Sequence, residues 1–383
     1  MNIAVDIRCL MQKKYSGVAE YTNNLLKNLF VIDKKNQYKL FYNSSQNLSQ
    51  ILPRFTANNV KVLGFKYPNK LFNFSLKFLK YPNLDQLVKD IDIFFIPNNN
   101  FLALSSACQK IITVHDLSFE IYPQFYSSKR KLWHHLINPK HLISQCQKII
   151  ADSQNTKNDL INYYKIPGSK IRVIHLGLDH ELYKPLDKNL PKFSVVKEKY
   201  NLPNKFILFL GTLEPRKNIE GIIEVFNLLK HNFSDLEDLH LIIAGQKGWR
   251  YQQIFNLASQ SPWQKQINFL GYVSAEDKPF LYNLAELFLF PSFYEGFGLP
   301  PLEAQASGTP VIAGLNSSFP EVLQDSAFLV KPDHLEEITS AVRQVMVDFK
   351  LKEDLIAKGL LNAQRFSWSK CAQETLDYLT TNN

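Results

Sequence analysis

The chain has 383 residues, 45% hydrophobic and 21% charged, a length that suits two ordinary domains rather than one core. Cys9, Cys108, Cys146 and Cys371 lie far apart and form no CxxC pair, which argues against a disulfide framework and against zinc. A formal charge of +9 points to an anionic ligand or surface, with nucleotide, acidic lipid and nucleic acid all open.

The N-terminus, Met1-Asn2-Ile3-Ala4-Val5-Asp6, reads as a strand rather than a secretory signal. No stretch approaches the ~20 apolar residues of a spanning helix, so the chain is expected to be cytoplasmic. Strand-length apolar runs then alternate with helix-length segments. The first set is Ile3–Ile7, Tyr38–Tyr42, Val60–Phe65, Ile93–Ile96, Lys110–Val114, Lys148–Ala151 and Arg172–His175. From His180 to Lys205 there is no long apolar strand but Pro185, Pro191, Pro203 and many charges, the marks of an interdomain connection. The second set is Phe206–Leu210, His240–Ala244, Ile267–Leu270, Leu287–Phe290, Pro310–Ile312 and Ala327–Val330.

Strands of Val, Ile and Phe without strict alternation are buried on both faces. With helices between them they imply two parallel, doubly wound, Rossmann-like α/β units. The expected domains are 1–184 and 185–365. The tail, 366–383, carries an amphipathic helix that can pack on either domain, the N-terminal one included. Ligands of open α/β sheets bind beyond the carboxyl ends of the strands. Two such sheets facing each other would enclose an interdomain cleft, and the loops after the strands are where chemistry belongs.

The strongest such loop runs from Ser292 to Glu303 and reads Ser-Phe-Tyr-Glu-Gly-Phe-Gly-Leu-Pro-Pro-Leu-Glu. Gly296 and Gly298 allow close backbone approach, and Pro300 and Pro301 suit the first turn of a helix. The main-chain N–H groups of Phe297, Gly298 and Leu299 can then point at an anion or at sugar hydroxyls, aided by the helix dipole. Glu303, in the helix, can accept two ribose hydroxyls, and Glu295, before the turn, can reach the sugar end. A second loop, Gly211-Thr212-Leu213-Glu214-Pro215-Arg216-Lys217-Asn218, puts adjacent cations at the mouth of the second sheet. A departing diphosphate gains negative charge as the glycosidic bond breaks, and fixed cations there stabilise the transition state more than the ground state.

These segments resemble the retaining glycosyltransferases of family 4, which contains bacterial mannosyltransferases and has the GT-B fold. The Glu295…Glu303 spacing matches its E-x7-E motif, and Gly211–Asn218 its phosphate-binding loop. The resemblance extends over nearly the whole chain through Asp6-Ile7-Arg8 with Ser16-Gly17-Val18, Thr113-Val114-His115-Asp116-Leu117-Ser118, Ala151-Asp152-Ser153 and Ala306-Ser307-Gly308-Thr309-Pro310-Val311. It implies that Arg216 and Lys217 contact the diphosphate, that Glu303 holds the ribose, and that Glu295 with the Phe297–Leu299 backbone, Gly298 included, lies at the transferred sugar. It implies further that Gly17 lets a backbone loop approach the phosphates. His115 is implied beside the reacting centre, orienting the sugar or sharing its positive charge rather than acting as a general base; alone, such a strand-end histidine is more often structural. Where some members follow the loop glycine, here Gly211, with arginine, this chain has Thr212, so the count of cationic contacts is open by one.

The implied reaction moves a hexose from a nucleotide-diphosphate sugar, GDP-mannose first, to a glycan or lipid-linked acceptor, with no metal and no cofactor. Asp90-Ile91-Asp92 is a DxD pattern, but it precedes a strand and so lies at the wrong end of the sheet for a metal–nucleotide complex. Retention is favoured because the loop from Arg8 to Gly17 has no histidine base. Two other functions stay open: a catalytically silent homologue serving as a binding or scaffold subunit, and a nucleotide-sugar epimerase. The joint presence of His115, Arg216, Lys217, Glu295 and Glu303 speaks against silence, and no aromatic-basic platform supports nucleic acid.

The segment from Phe65 to Pro82 stands apart. At ~100° per residue, Lys70, Lys77 and Lys80 share one side of a helix over 69–81, and Leu71, Phe72, Leu76, Phe78 and Leu79 lie largely across from them. A basic, Phe-rich amphipathic helix has the composition of an interfacial membrane contact, here at the inner face of the cell membrane. The plainer use is to cover the first sheet, which would bury Phe72, Phe74 and Phe78.

Overall fold

Each apolar run becomes a strand in the computed structural model, which describes residues 1–12, 14–48 and 50–381. In the first half, β1 (Asn2–Asp6), β2 (Gln37–Asn43), β3 (Val60–Phe65), β4 (Ile93–Ile96), β5 (Gln109–Val114), β6 (Lys148–Ala151) and β7 (Ile171–Val173) form one sheet in the order β3-β2-β1-β4-β5-β6-β7. In the second, β8 (Phe206–Leu210), β9 (His240–Ala244), β10 (Ile267–Gly271), β11 (Leu287–Phe290), β12 (Val311–Gly314) and β13 (Phe328–Val330) form a sheet in the order β10-β9-β8-β11-β12-β13. All pairings are parallel. Central strands such as β4, β8 and β11 are buried at every residue, as expected when helices cover both faces, whereas the edge strand β3 is half-exposed.

The chain forms two compact units. One comprises Met1–Ile121, Ser128–Gly177 and Trp368–Asn383; the other comprises Tyr122–Ser127 and Leu178–Ser367. The change of unit falls after Gly177, ahead of the expected 184/185 boundary, because the connection already packs with the second sheet's helices. Tyr183 meets Tyr282 edge-on, and the Leu186 N–H bonds to Asn283 Oδ1 at 2.8 Å. Tyr122–Ser127 is held to the second unit by Trp249, which stacks on Tyr126 and donates to the Phe125 carbonyl. The tail forms the Trp368–Thr380 helix and packs along the Gly17–Ile32 helix of the first unit. Buried Lys148 donates to the carbonyls of Tyr378 (2.8 Å) and Thr381 (2.5 Å), a cation at the negative end of that helix.

The 69–81 segment departs from the expected single helix. It is α-helical over Asn69–Phe74, widens to a π turn over Ser75–Leu79 and closes on Lys80 in the left-handed conformation. Only Phe72 and Leu76 are buried; Leu71 is 68% exposed, Phe74 56%, Phe78 57% and Leu79 66%. The apolar residues expected to lie together are thus split between core and solvent. No helix among the described residues is long and apolar enough to cross a membrane.

Candidate active site

In the second unit, β8 leads through Gly211 and exposed Thr212 into a short helical turn, Pro215–Lys217. Asn218 takes the left-handed conformation (φ 55) and starts the Ile219–Asn232 helix, with its amide bonded to the Pro332 carbonyl at 2.6 Å. The loops after β8 and β9 approach each other closely: a Cβ on Gly245 would lie 1.7 Å from the Gly211 carbonyl oxygen. After β11, Gly298 (φ +97) turns the chain into the Leu299–Ala306 helix, and a Cβ there would meet the Phe319 ring at 2.5 Å. Pro300 and Pro301 occupy the first turn, and helix geometry leaves the Leu299 N–H without an intrahelical acceptor. The Phe297 ring is buried edge-on against Phe366.

These two loops bring the predicted charges together. Arg216 donates to Glu214 Oε1 at 2.8 and 3.1 Å, to the Tyr294 carbonyl, and pairs with Glu295 Oε2 at 3.0 Å. Lys217 Nζ lies 2.5 Å from Glu295 Oε1 and 4.9 Å from the centre of the Phe290 ring. Burial opposes ionisation of Glu295, but the charges of Arg216 and Lys217 outweigh it and hold the carboxyl below its usual range. Burial, with Arg216 beside it, lowers the Lys217 ammonium despite Glu295. Two cations thus face two carboxylates.

Glu303 lies in the Leu299–Ala306 helix and is buried. Tyr282 donates to its Oε2 at 2.8 Å, and Lys278 Nζ is 4.0 Å from Oε1. Sequence reasoning missed both partners. They sit four residues apart on the Lys278–Leu284 helix, a spacing that shares a face, but no loop motif marks them.

In the first unit, His115 follows β5 and Asp152 follows β6. The β5–β6 register pairs Val114 with Ala151, which sets the next residues side by side. His115 Nδ1 is 2.6 Å from Asp152 Oδ2, and Nε2 is 2.9 Å from the Pro97 carbonyl oxygen. Tyr21 packs edge-on against the imidazole at 4.8 Å and bonds to Thr113 through its hydroxyl; Trp368 of the tail packs against Tyr21. Gly17 opens the Gly17–Ile32 helix, and a Cβ there would meet nothing within 4 Å, so the space before that helix is open. Asp92 precedes β4 and accepts the Asn2 N–H at 2.7 Å, and Lys39 donates to the Asp90 carbonyl at 3.1 Å, both at the amino ends of the strands. An open cavity of about 620 Å³ lined by Lys27, Phe30, Lys34, Arg54 and Phe55 lies near those amino ends too. Ligands of parallel sheets bind at the opposite edge, where the loops after β8 and β11 lie.

Residues 15–182 match the family model described as Glycosyltransferase Family 4, and residues 193–360 match Glycosyl transferases group 1. The chain is 28% identical over 368 residues to O-antigen chain mannosyltransferase B of Escherichia coli, covering 94% of this chain and 95% of that one. Among solved structures it is similar to sucrose-phosphate synthase of Thermosynechococcus elongatus, with a TM-score of 0.75, 18% identity and 98% of both chains covered. It is also similar to HepE of Anabaena in complex with UDP-glucose, with a TM-score of 0.73, 17% identity and 99% of both covered. The loops after β8 and β11 fall inside the matched regions, as do both sheets apart from β1, and the chain belongs to glycosyltransferase family 4, as a GT-B glycosyltransferase of its bacterial mannosyltransferase-like group.

Proposed function

We propose that this glycosyltransferase moves a hexose, mannose first, from a nucleoside-diphosphate donor to a glycan or lipid-linked acceptor, with retention and without a metal ion. The observation that carries this reading is the Arg216–Lys217–Glu295 cluster where the β8 and β11 loops meet. Its cations neutralise the diphosphate as negative charge develops on it, in place of a metal. Glu295, released from them, turns to the sugar hydroxyls. Glu303 accepts the ribose hydroxyls, and the main-chain N–H groups of Gly298 and Leu299 add partial positive charge at a helix N-terminus. His115 is assigned to the sugar and Gly17 to the phosphates, as the resemblance to the family implies. The mannosyltransferase relative supports mannose, and UDP-glucose in HepE supports a nucleotide sugar in general. Retention rests on the Arg8–Gly17 loop, which has no histidine, and on front-face attack with a donor phosphate oxygen taking the acceptor's proton.

The test is a panel of nucleotide sugars scored by donor hydrolysis and thermal shift, with and without excess EDTA. GDP-mannose should be hydrolysed slowly and should stabilise the fold, equally in chelator. Turnover lost in EDTA and restored by magnesium or manganese would contradict metal independence. Nucleotide-sugar binding with no release of nucleoside diphosphate would favour a silent scaffold instead.

We further propose that the chain works in the cytoplasm and docks reversibly on the anionic inner face of the cell membrane through the 65–82 segment. Leu71, Phe74 and Phe78 recur at helical spacing on the outward side, opposite buried Phe72 and Leu76. Lys66, Lys70, Lys77 and Lys80 accompany them, and no Asp or Glu occurs between Phe65 and Leu84. Outward aromatic side chains beside lysines fit the boundary between acyl chains and anionic headgroups.

A further inference from the structure

The hydrogen bonds of His115 fix its protons. Nε2 faces the Pro97 carbonyl oxygen at 2.9 Å, and a carbonyl only accepts, so Nε2 carries a hydrogen. Nδ1 lies 2.6 Å from Asp152 Oδ2. Two lone pairs do not face each other at that distance, so a second hydrogen lies between nitrogen and carboxylate. The pair therefore holds one proton more than a neutral imidazole beside a carboxylate. The other neutral tautomer, with hydrogen on Nδ1 alone, would turn the Nε2 lone pair onto the Pro97 oxygen.

We propose that Asp152 is a positioning residue that locks this extra proton onto the pair, so that His115 serves the transferred sugar only as an Nε2–H donor and never takes the acceptor's proton. The inference rests on the placement of His115 at the donor sugar made above. On binding, the sugar hydroxyl takes the place of the Pro97 carbonyl as acceptor. The acceptor's proton then has to leave by another route, as front-face attack requires.

The surroundings favour the shared proton. Asp152 is 2% exposed, and its second oxygen, Oδ1, is buried with no partner among the described residues, so its hydrogen bonding is concentrated on His115. Burial opposes charge on His115, but the charge and hydrogen bond of Asp152 more than offset it and raise the imidazole. Burial raises Asp152 as well, against the opposing pull of His115. Both shifts hold the proton as pH rises. The other titratable groups around the pair are Asp116, which accepts from Ser118, His175 from the loop after β7, Tyr21 from the Gly17–Ile32 helix and Cys371 from the tail helix. Burial raises Tyr21 and Cys371, which keeps both neutral.

The test is the protonation of His115 by NMR of the ring nitrogens in the full chain, with His115→Gln identifying the signal. In the wild type both nitrogens should stay protonated to higher pH than in an unperturbed histidine, which titrates near pH 6.5. Asp152→Asn keeps the shape and removes the charge, so its imidazole should lose a proton by about pH 6.5. The proton should leave Nδ1, the nitrogen that faces residue 152, while Nε2 keeps its hydrogen toward the Pro97 carbonyl. A wild-type His115 that titrates near pH 6.5 would overturn the proposal even if the variant failed to fold, and so would a His115 that titrates alike in the two proteins. Failure of the underlying placement has a separate signature. His115→Gln with undiminished turnover removes the histidine from the reaction and overturns the functional half of the proposal, while the titration judges the shared proton alone.

Discussion

Glu295 and Glu303 are eight residues apart, yet their surroundings give them different work. Glu295 meets two cations and stays ionised; Glu303 meets a phenol at 2.8 Å and a lysine at 4.0 Å, which leaves its carboxylate room for further hydroxyls. Glu303→Ala should therefore weaken donor binding by about 1.5–3 kcal/mol, the scale of lost hydrogen bonds to a charged group. Titration calorimetry with nucleoside diphosphate alone should show a similar loss, because the ribose belongs to both ligands; wild-type affinity would remove Glu303 from the ribose. That Arg216, Lys217 and Glu295 lie on loops following strands was legible in the sequence, because apolar runs and turn residues mark those loops. The Tyr294 carbonyl as a partner of Arg216 was not, since that contact depends on how two distant loops dock; Glu214, two residues away on the same loop, was within reach. The Asp152 partner of His115 was within reach, because adjacent parallel strands ending together set their next residues side by side.

At the scale of elements, strands were the most legible part. Their apolar runs are continuous, and a strand buried on both faces needs no periodicity to be seen; β7 ends at Val173 rather than His175, a matter of two residues. The 69–81 segment was harder because a constant 100° per residue does not survive the π turn over Ser75–Leu79. The outward aromatic face that results carries a prediction. Wild-type protein should sediment with anionic liposomes at low salt and less with neutral liposomes or at high salt. Each lysine near an anionic surface contributes about 1 kcal/mol, so changing Lys70, Lys77 and Lys80 to Glu should lower partitioning by roughly 10²-fold or more. Phe74→Ser with Phe78→Ser should weaken the salt-resistant part. Equal partitioning of wild type and both variants would contradict membrane docking.

At the scale of the molecule, the alternation of strand and helix predicted two doubly wound units, and the connection between them was visible as a proline-rich gap. Its edges were not, because the chain joins the second unit from Leu178, before the prolines begin, and no composition change marks Tyr122–Ser127 as belonging there. The tail could be seen as amphipathic but not assigned a partner: its site on the first unit depends on Trp368 reaching Tyr21 and on Lys148 reaching the carbonyls of Tyr378 and Thr381. The proposal that joins these residues is a donor diphosphate bound at the loop after β8. The most direct measurement is release of nucleoside diphosphate from the nucleotide sugar by wild type, Arg216→Ala and Lys217→Ala, each checked for folding by circular dichroism and thermal melting. Each variant should stay folded and lose roughly 10²-fold or more in turnover, the scale of one preorganised contact to the transition state. Folded variants that both turn over like the wild type would contradict the account.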